Sequence, residues 1–339
     1  MTVHYEFDHR PEHGAVNPIA AGIDWLRMPL PFMLGHINLW LLRDHGGIAI
    51  VDTGINSKTS RRVWETALAE HMDGAAVTRV IVTHLHPDHV GCAGWLTREH
   101  GVELWMTREE YFLCRILVAD TGRHAPEAGV RFYKAAGFPE VALLRYQEMF
   151  GMFGKYVAEL PESYRRMKDG EHLAIDGSDW EIIVGRGHSP EHACLYNAEQ
   201  NVVISGDQVL PTISSNVSVY PTEPHANPLR DWIDSLTAMK DRLPEDVLVL
   251  PAHGKPFRGA HERLDTLVEE HTTGLGKLYD LCDEPRRAID VFPALFKSKI
   301  SDGNMILATG ESIAHLNYLV ADGTLAAELD AGVLWYRRC

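Results

Sequence analysis

Thr83-His84-Leu85-His86-Pro87-Asp88-His89 places four potential metal ligands within six residues. The run follows Val80-Ile81-Val82, which reads as a short buried strand. The four are therefore expected on a loop at a sheet edge, where a rigid scaffold can aim them. Imidazole nitrogen and carboxylate oxygen are ligands that divalent metals accept. His84 and His86, as alternate residues, suit one ion. Asp88 and His89 can turn toward a second. A solvated His-rich loop is the bland alternative, and the density of the run speaks against it.

One motif cannot complete two metal sites. Further candidates stand where predicted strands end. Gly187-His188-Ser189-Pro190 follows residues 182–184, Ser205-Gly206-Asp207 follows 202–204, and Pro251-Ala252-His253-Gly254 follows 247–250. Alone, each is weak in a chain with 19 histidines. Four such features in this order are a strong joint signal.

The ordered set resembles the metallo-β-lactamase superfamily, most closely its glyoxalase II-like hydrolases, over roughly residues 20–258. The resemblance implies an α/β fold, a four-layer αββα sandwich. It implies that His84, His86 and His188 hold a first ion, that Asp88, His89 and His253 hold a second, and that Asp207 bridges both. Asp52, in Val51-Asp52-Thr53-Gly54, matches an aspartate that orients a ligand from behind. A turn residue after a strand is the alternative reading of Asp52. His192 is a further candidate for such support. The implied cofactors are two divalent ions, zinc foremost, with iron or manganese as alternatives because spacing does not choose among them. Two departures from the family pattern bear on substrate. Some lactonases of the superfamily carry a tyrosine shortly after the bridging aspartate, and here Gln208, Val209 and Leu210 follow Asp207. The basic residues with which true glyoxalase II holds glutathione have no match.

The rest of the chain frames this centre. It has 339 residues, 45% of them hydrophobic, which suits a globular protein with a substantial core. A net charge of -15 argues against a nucleic-acid backbone as partner and gives no support for an anionic membrane surface. Five widely spaced cysteines form neither a disulfide framework nor a zinc knuckle, so a reducing cytoplasm is the expected home. Residues 1–16 lack the apolar core of a signal peptide. No stretch reaches the roughly 18 apolar residues of a membrane span. The expected partner is a small-molecule substrate, with a homodimer left open.

Residues 37–42 and 48–51 read as a hairpin around a Gly-rich turn, and 57–70 as a helix. Strands are expected at 80–82, 102–106, 181–184, 193–196, 202–204 and 247–250, with a helix over 228–242. Residues 1–258 form the expected catalytic domain. A helical insert over about 107–168 is rich in aromatics, Tyr111, Phe150 and Phe153 among them. It packs either into a small core of its own or over the site as an apolar lid. Residues 259–339 are expected to form a helical, winged-helix-like appendage. Its segment 311–321 reads as an amphipathic helix, and 324–337 as a hairpin. That helix has no Lys or Arg, which favours a structural or dimerising role over DNA binding.

Two divalent ions about 3.5–4 Å apart can share a water and lower its pKa toward roughly 7. The expected activity is hydrolysis of an ester or thioester in a fairly apolar acyl substrate by a metal-bridging hydroxide. Asp88 is the catalytic group that accepts or orients its proton. A lactonase is the nearest alternative. A metal-dependent ribonuclease, a single-iron persulfide dioxygenase and a non-catalytic binding protein stand further off.

Overall fold

A computed structural model describes residues 3–32, 34–71 and 74–339. Among these residues seven strands form one sheet in sequential order: β1 (Val16–Ala20), β2 (Ile23–Pro29), β3 (His36–Asp44), β4 (Gly47–Val51), β5 (Val77–Ile81), β6 (Leu104–Met106) and β7 (Arg165–Arg166). A second sheet has the order β12-β11-β10-β9-β8, from β8 (His172–Ile175), β9 (Ser178–Gly185), β10 (His192–Asn197), β11 (Val202–Gly206) and β12 (Leu248–Pro251). The expected hairpin of β3 and β4 is present. Its turn residues His45 and Gly46 both take positive φ, 51° and 79°, as a tight turn matching strand twist requires.

Side chains alternate across each strand, and this period of two builds the layers. Trp40 and Leu42 of β3, with Ala193 and Leu195 of β10, fill the space between the sheets. Leu39 and Leu41 face outward to α1 (Lys58–Thr66), α3 (Ala93–His100) and α4 (Arg108–Ala119). The four-residue α2 (Pro87–Val90) lies inside the histidine run. Cys194 and Val203 face the other way, to α7 (Pro228–Arg242). The result is the αββα sandwich.

The insert carries α4, α5 (Glu127–Ala135) and α6 (Glu140–Met149). It is shorter than the sequence suggests. Arg165 and Arg166 pair in parallel with Trp105 and Met106 and close the edge of the first sheet. A two-residue strand has no hydrophobic alternation to betray it, and only the long-range pairing makes it a strand. The insert's rings mostly serve its own packing. Tyr133, Phe138 and Tyr146 form a small core with Phe150 against it.

The C-terminal region contains α8 (Ala260–Leu281), the short α9 (Phe292–Leu295), α10 (Met305–Ala321) and a hairpin of β13 (Leu325–Asp330) and β14 (Val333–Arg338). The amphipathic reading of 311–321 is corrected. The helix begins at Met305 and is buried on most sides, including Thr309, Ser312 and His315. Leu264 and Leu267 of α8 and Ile313 and Leu316 of α10 share one core with β9–β11 and α7, so neighbours cover the face that was expected to meet water. No helix among the described residues is long and apolar enough to cross a membrane.

Trp64 links this packing to the site. Its side chain is fully buried on α1 and its Nε1 donates to the Thr53 carbonyl at 2.8 Å. Trp64→Ala removes a large core side chain and leaves that carbonyl unpaired. It should cost about 3–5 kcal/mol, read as a fall in the urea midpoint; an unchanged midpoint would contradict this account of the α1 contact.

Candidate metal centre

Each candidate ligand lies just beyond a strand. The histidine run follows β5, His188 follows β9, Asp207 follows β11 and His253 follows β12. Within the run, residues 84–86 are not helical, and α2 begins at Pro87. Proline suits a first helical position because its missing N–H would have no partner there. This change of geometry separates the ligands into two sets. His84, His86, His188 and Asp207 offer atoms all within 4.8 Å of one another, and so do Asp88, His89 and His253. The structure thus brings together every ligand candidate that the sequence nominated, with Asp207 in the first of the two groups.

Asp207 stands between the groups. Its Oδ2 is 3.5 Å from His188 Nε2, and its Oδ1 is 3.5 Å from both His89 Nε2 and His253 Nε2. Asp88 Oδ2 lies 3.3 Å from His253 Nε2. His84 Nε2 and His86 Nδ1 converge to 2.8 Å.

The donor chemistry fits divalent cations. His89 Nε2, His188 Nε2, His253 Nε2 and Asp207 Oδ1 are buried and have no hydrogen-bond partner. Each such orphan costs about 1–3 kcal/mol, and a cation accepting their lone pairs removes that cost. The opposite ring nitrogens are already engaged. His89 Nδ1 is 2.8 Å from Asp52 Oδ2, His188 Nδ1 meets the Asn216 carbonyl at 2.7 Å, and His253 Nδ1 meets the His36 carbonyl at 2.9 Å. A proton held on Nδ1 leaves the Nε2 lone pair pointing inward, the arrangement metal-binding histidines need.

The charges divide accordingly. Burial, reinforced by neighbouring histidines, holds His84 far below its ordinary pKa. Burial, with His188 next, brings His86 down to about 3. Burial also acts against a charge on His89 and His253, but the surrounding carboxylates outweigh it and raise both. Burial opposes charge on Asp207 too, and His253 and His89 overcome it to keep the group ionised. Cations entering the second group would displace protons from His89 and His253.

Asp52 is nearly fully buried and receives hydrogen bonds from the Thr83 amide at 2.8 Å and the Thr83 hydroxyl at 2.9 Å, besides its contact with His89. It therefore stands behind His89, on the ring nitrogen opposite Nε2. His192 supports from below, its Nε2 accepting the Asp207 amide proton at 3.0 Å. Gly206 must stay small beside it, since a Cβ there would come within 2.6 Å of the His192 ring.

Glu110 was not anticipated. It is fully buried on α4, its Oε2 accepting from the Leu85 amide at 2.9 Å and its Oε1 from the Glu191 amide at 2.8 Å. One carboxyl thus joins the His84–His86 loop to the His188 loop. The only sequence signal was an acid beside Tyr111 on the inward face of a helix. Tyr111 itself is core: it stacks on Tyr164 at 3.8 Å and its hydroxyl donates to the Pro161 carbonyl.

The model of the metallo-beta-lactamase superfamily matches residues 33–253. The chain belongs to that superfamily. A second model, of a metallo-beta-lactamase-like C-terminal domain, matches residues 275–339. A crystal structure of a beta-lactamase domain protein from Burkholderia ambifaria is 40% identical, with a TM-score of 0.91 over 99% of this chain and 98% of that one. The probable metallo-hydrolase YqjP of Bacillus subtilis is 24% identical over 92% of this chain and 96% of its own length. Hydroxyacylglutathione hydrolase GloC of Haemophilus influenzae is 27% identical over 52% of this chain and 68% of its own. The acyl-coenzyme A thioesterase MBLAC2 of Gallus gallus is 22% identical over 77% and 87%.

Glu110→Ala strips two loop amides of their acceptor in a buried setting. It should destabilise the protein by about 2–5 kcal/mol, with a smaller loss for Glu110→Gln. Denaturation curves for the two variants check this, and equal losses would remove the hydrogen bonds as the cause.

Proposed function

We propose that this chain hydrolyses ester or thioester bonds in a small acyl substrate with two divalent ions, zinc foremost. The chain is a metal-dependent hydrolase; the bond and the number of ions are the proposal. The observation that carries it is the Asp207 carboxylate, with one oxygen toward each ligand group. His84, His86 and His188 would hold one ion, Asp88, His89 and His253 the other, and Asp207 both. When bound, such ions supply an activated water and polarise a carbonyl oxygen.

The chain's own residues set the conditions for that chemistry. Asp52, the Asn216 carbonyl and the His36 carbonyl hold the imidazole protons outward. Asp88 has the most exposed side chain of its group, 18% against 0% for His89 and 5% for His253. This exposure supports Asp88 as the group that accepts or orients the proton of the attacking water. Neither Ser189 nor Ser205 is needed as nucleophile. Ser205 donates to the Val209 carbonyl at 2.9 Å, a loop contact.

Two relatives bear names of acyl hydrolases, one for hydroxyacylglutathione and one for acyl-coenzyme A. Phe150 faces the insert's own core and Phe153 packs against the outer helices. Apolar side chains, Phe32 and Leu34, are exposed a few residues before His36, whose carbonyl meets His253 Nδ1. Phe32 meets Tyr156 edge-on at 6.1 Å. Gln208, fully buried where some lactonases have tyrosine nearby, favours ester or thioester over lactone.

His86→Ala and Asp207→Ala should each abolish hydrolysis and lose metal together, measured by elemental analysis of purified protein beside turnover of acyl-thioesters, aryl esters and lactones. Fewer than one ion per chain in fully active protein would end the two-ion scheme. Turnover confined to lactones would replace the substrate class.

A further inference from the structure

The segment 208–219 leaves Asp207 and passes beside His188, and polar groups of the C-terminal region hold much of its length. Arg263 of α8 donates to the carbonyls of Leu210 at 2.6 Å and Ile213 at 2.7 Å. His271 of α8 lies 3.1 Å from the Ser214 hydroxyl and 3.2 Å from His315 of α10. Ser215 donates back to the Asp207 carbonyl. The link that reaches His188 is at Asn216. Its side-chain amide donates to Glu311 of α10 at 2.7 Å, and its side-chain oxygen accepts from Ser218 at 2.6 Å. Its backbone carbonyl is the group that meets His188 Nδ1. Backbone contact fixes the register, the Val219 amide donating to the Gly310 carbonyl at 3.0 Å. Gly310 permits this approach, since a Cβ there would lie 2.7 Å from the Ser218 hydroxyl.

We propose that Glu311 is a positioning residue for the metal centre, acting through Asn216 on His188. The C-terminal region is then a working part of the centre, because α10 sets the carbonyl that fixes which nitrogen of His188 carries the proton. Both Asn216 side-chain groups are satisfied, so the residue has one orientation and its carbonyl one direction. Burial raises Glu311 to about 7 despite the Asn216 contact, so a neutral acceptor can replace it. Glutamine keeps such an acceptor and alanine does not.

The metal readout rests on the proposed two-ion reading; the imidazole readout does not. In metal-free protein, nitrogen NMR of His188 should show the Nδ1–H tautomer for the parent and for Glu311→Gln, and a mixture for Glu311→Ala. With zinc added alone, Glu311→Ala should bind its weaker equivalent about 10–100-fold less tightly, while Glu311→Gln stays within about threefold of the parent. Asn216→Ala keeps the backbone carbonyl and should reproduce the alanine effect. The double alanine variant should be little worse than either single one, since both break one path. An Nδ1–H tautomer unchanged in Glu311→Ala would overturn the inference, as would a glutamine variant as impaired as the alanine variant, or additive losses in the double variant. A parent that binds no zinc would instead overturn the two-ion reading, leaving the tautomer measurement to decide the role of Glu311.

Discussion

A carboxylate buried away from water must find donors, and the way Asp52 finds them sets the geometry of the centre. It follows β4 with φ at 61°, a left-handed conformation that few residues other than glycine adopt and that aspartate tolerates. Its amide donates to the Ile81 carbonyl, so the turn is tied to β5 before the side chain acts. One oxygen then takes the Thr83 amide and the other faces His89 Nδ1. The start of the histidine run and its last ligand are thereby fixed to the same group. Trp64 braces the next residue from α1 through the Thr53 carbonyl. Moving Asp52 would leave a buried charge and several buried donors without partners at once, which is why the turn cannot drift.

The same physics recurs around the centre with other acids. Ligand loops lie beyond strand ends, where the sheet no longer supplies backbone partners. Glu110 on α4 takes two loop amides, and Glu311 on α10 takes the side chain that orients the Asn216 carbonyl. Asn38 on β3 does comparable work near His253, donating to the Pro251 and Gly254 carbonyls. The insert and the C-terminal region thus reach the centre from outside the sandwich. Their bulk packing is hydrophobic, and their specific contribution is a few buried polar contacts to loop backbone.

Residues 84–89 and the three later candidate ligands were legible because each stands in a local pattern, a strand followed by a turn bearing histidine or aspartate. Strands β3, β4, β9, β10 and β11 were legible for the same reason, and α7 from its apolar spacing. Glu110, Asn216 and Glu311 were not, since each matters through a partner 25 or more residues away, in one case 95 residues away. The insert's aromatics were visible but undirected: composition counts rings, and packing alone says that Tyr133 and Tyr146 face each other while Tyr111 stacks on Tyr164. Helix α10 was read as amphipathic because Glu311, His315 and Asn317 mark a wet face only when no neighbour hydrogen-bonds them, and Asn216, His271 and the Pro224 carbonyl do.

The amino-acid sequence by itself determined the reaction class and nominated the candidate ligands of this protein, because ligand chemistry and strand-end spacing are properties of short stretches. Tertiary structure decided which oxygen of Asp207 faces which group and which side chains hold the ligands in place. Those are properties of distance in space, set where two sheets and the helices outside them converge on Asp52 and the histidines beyond it.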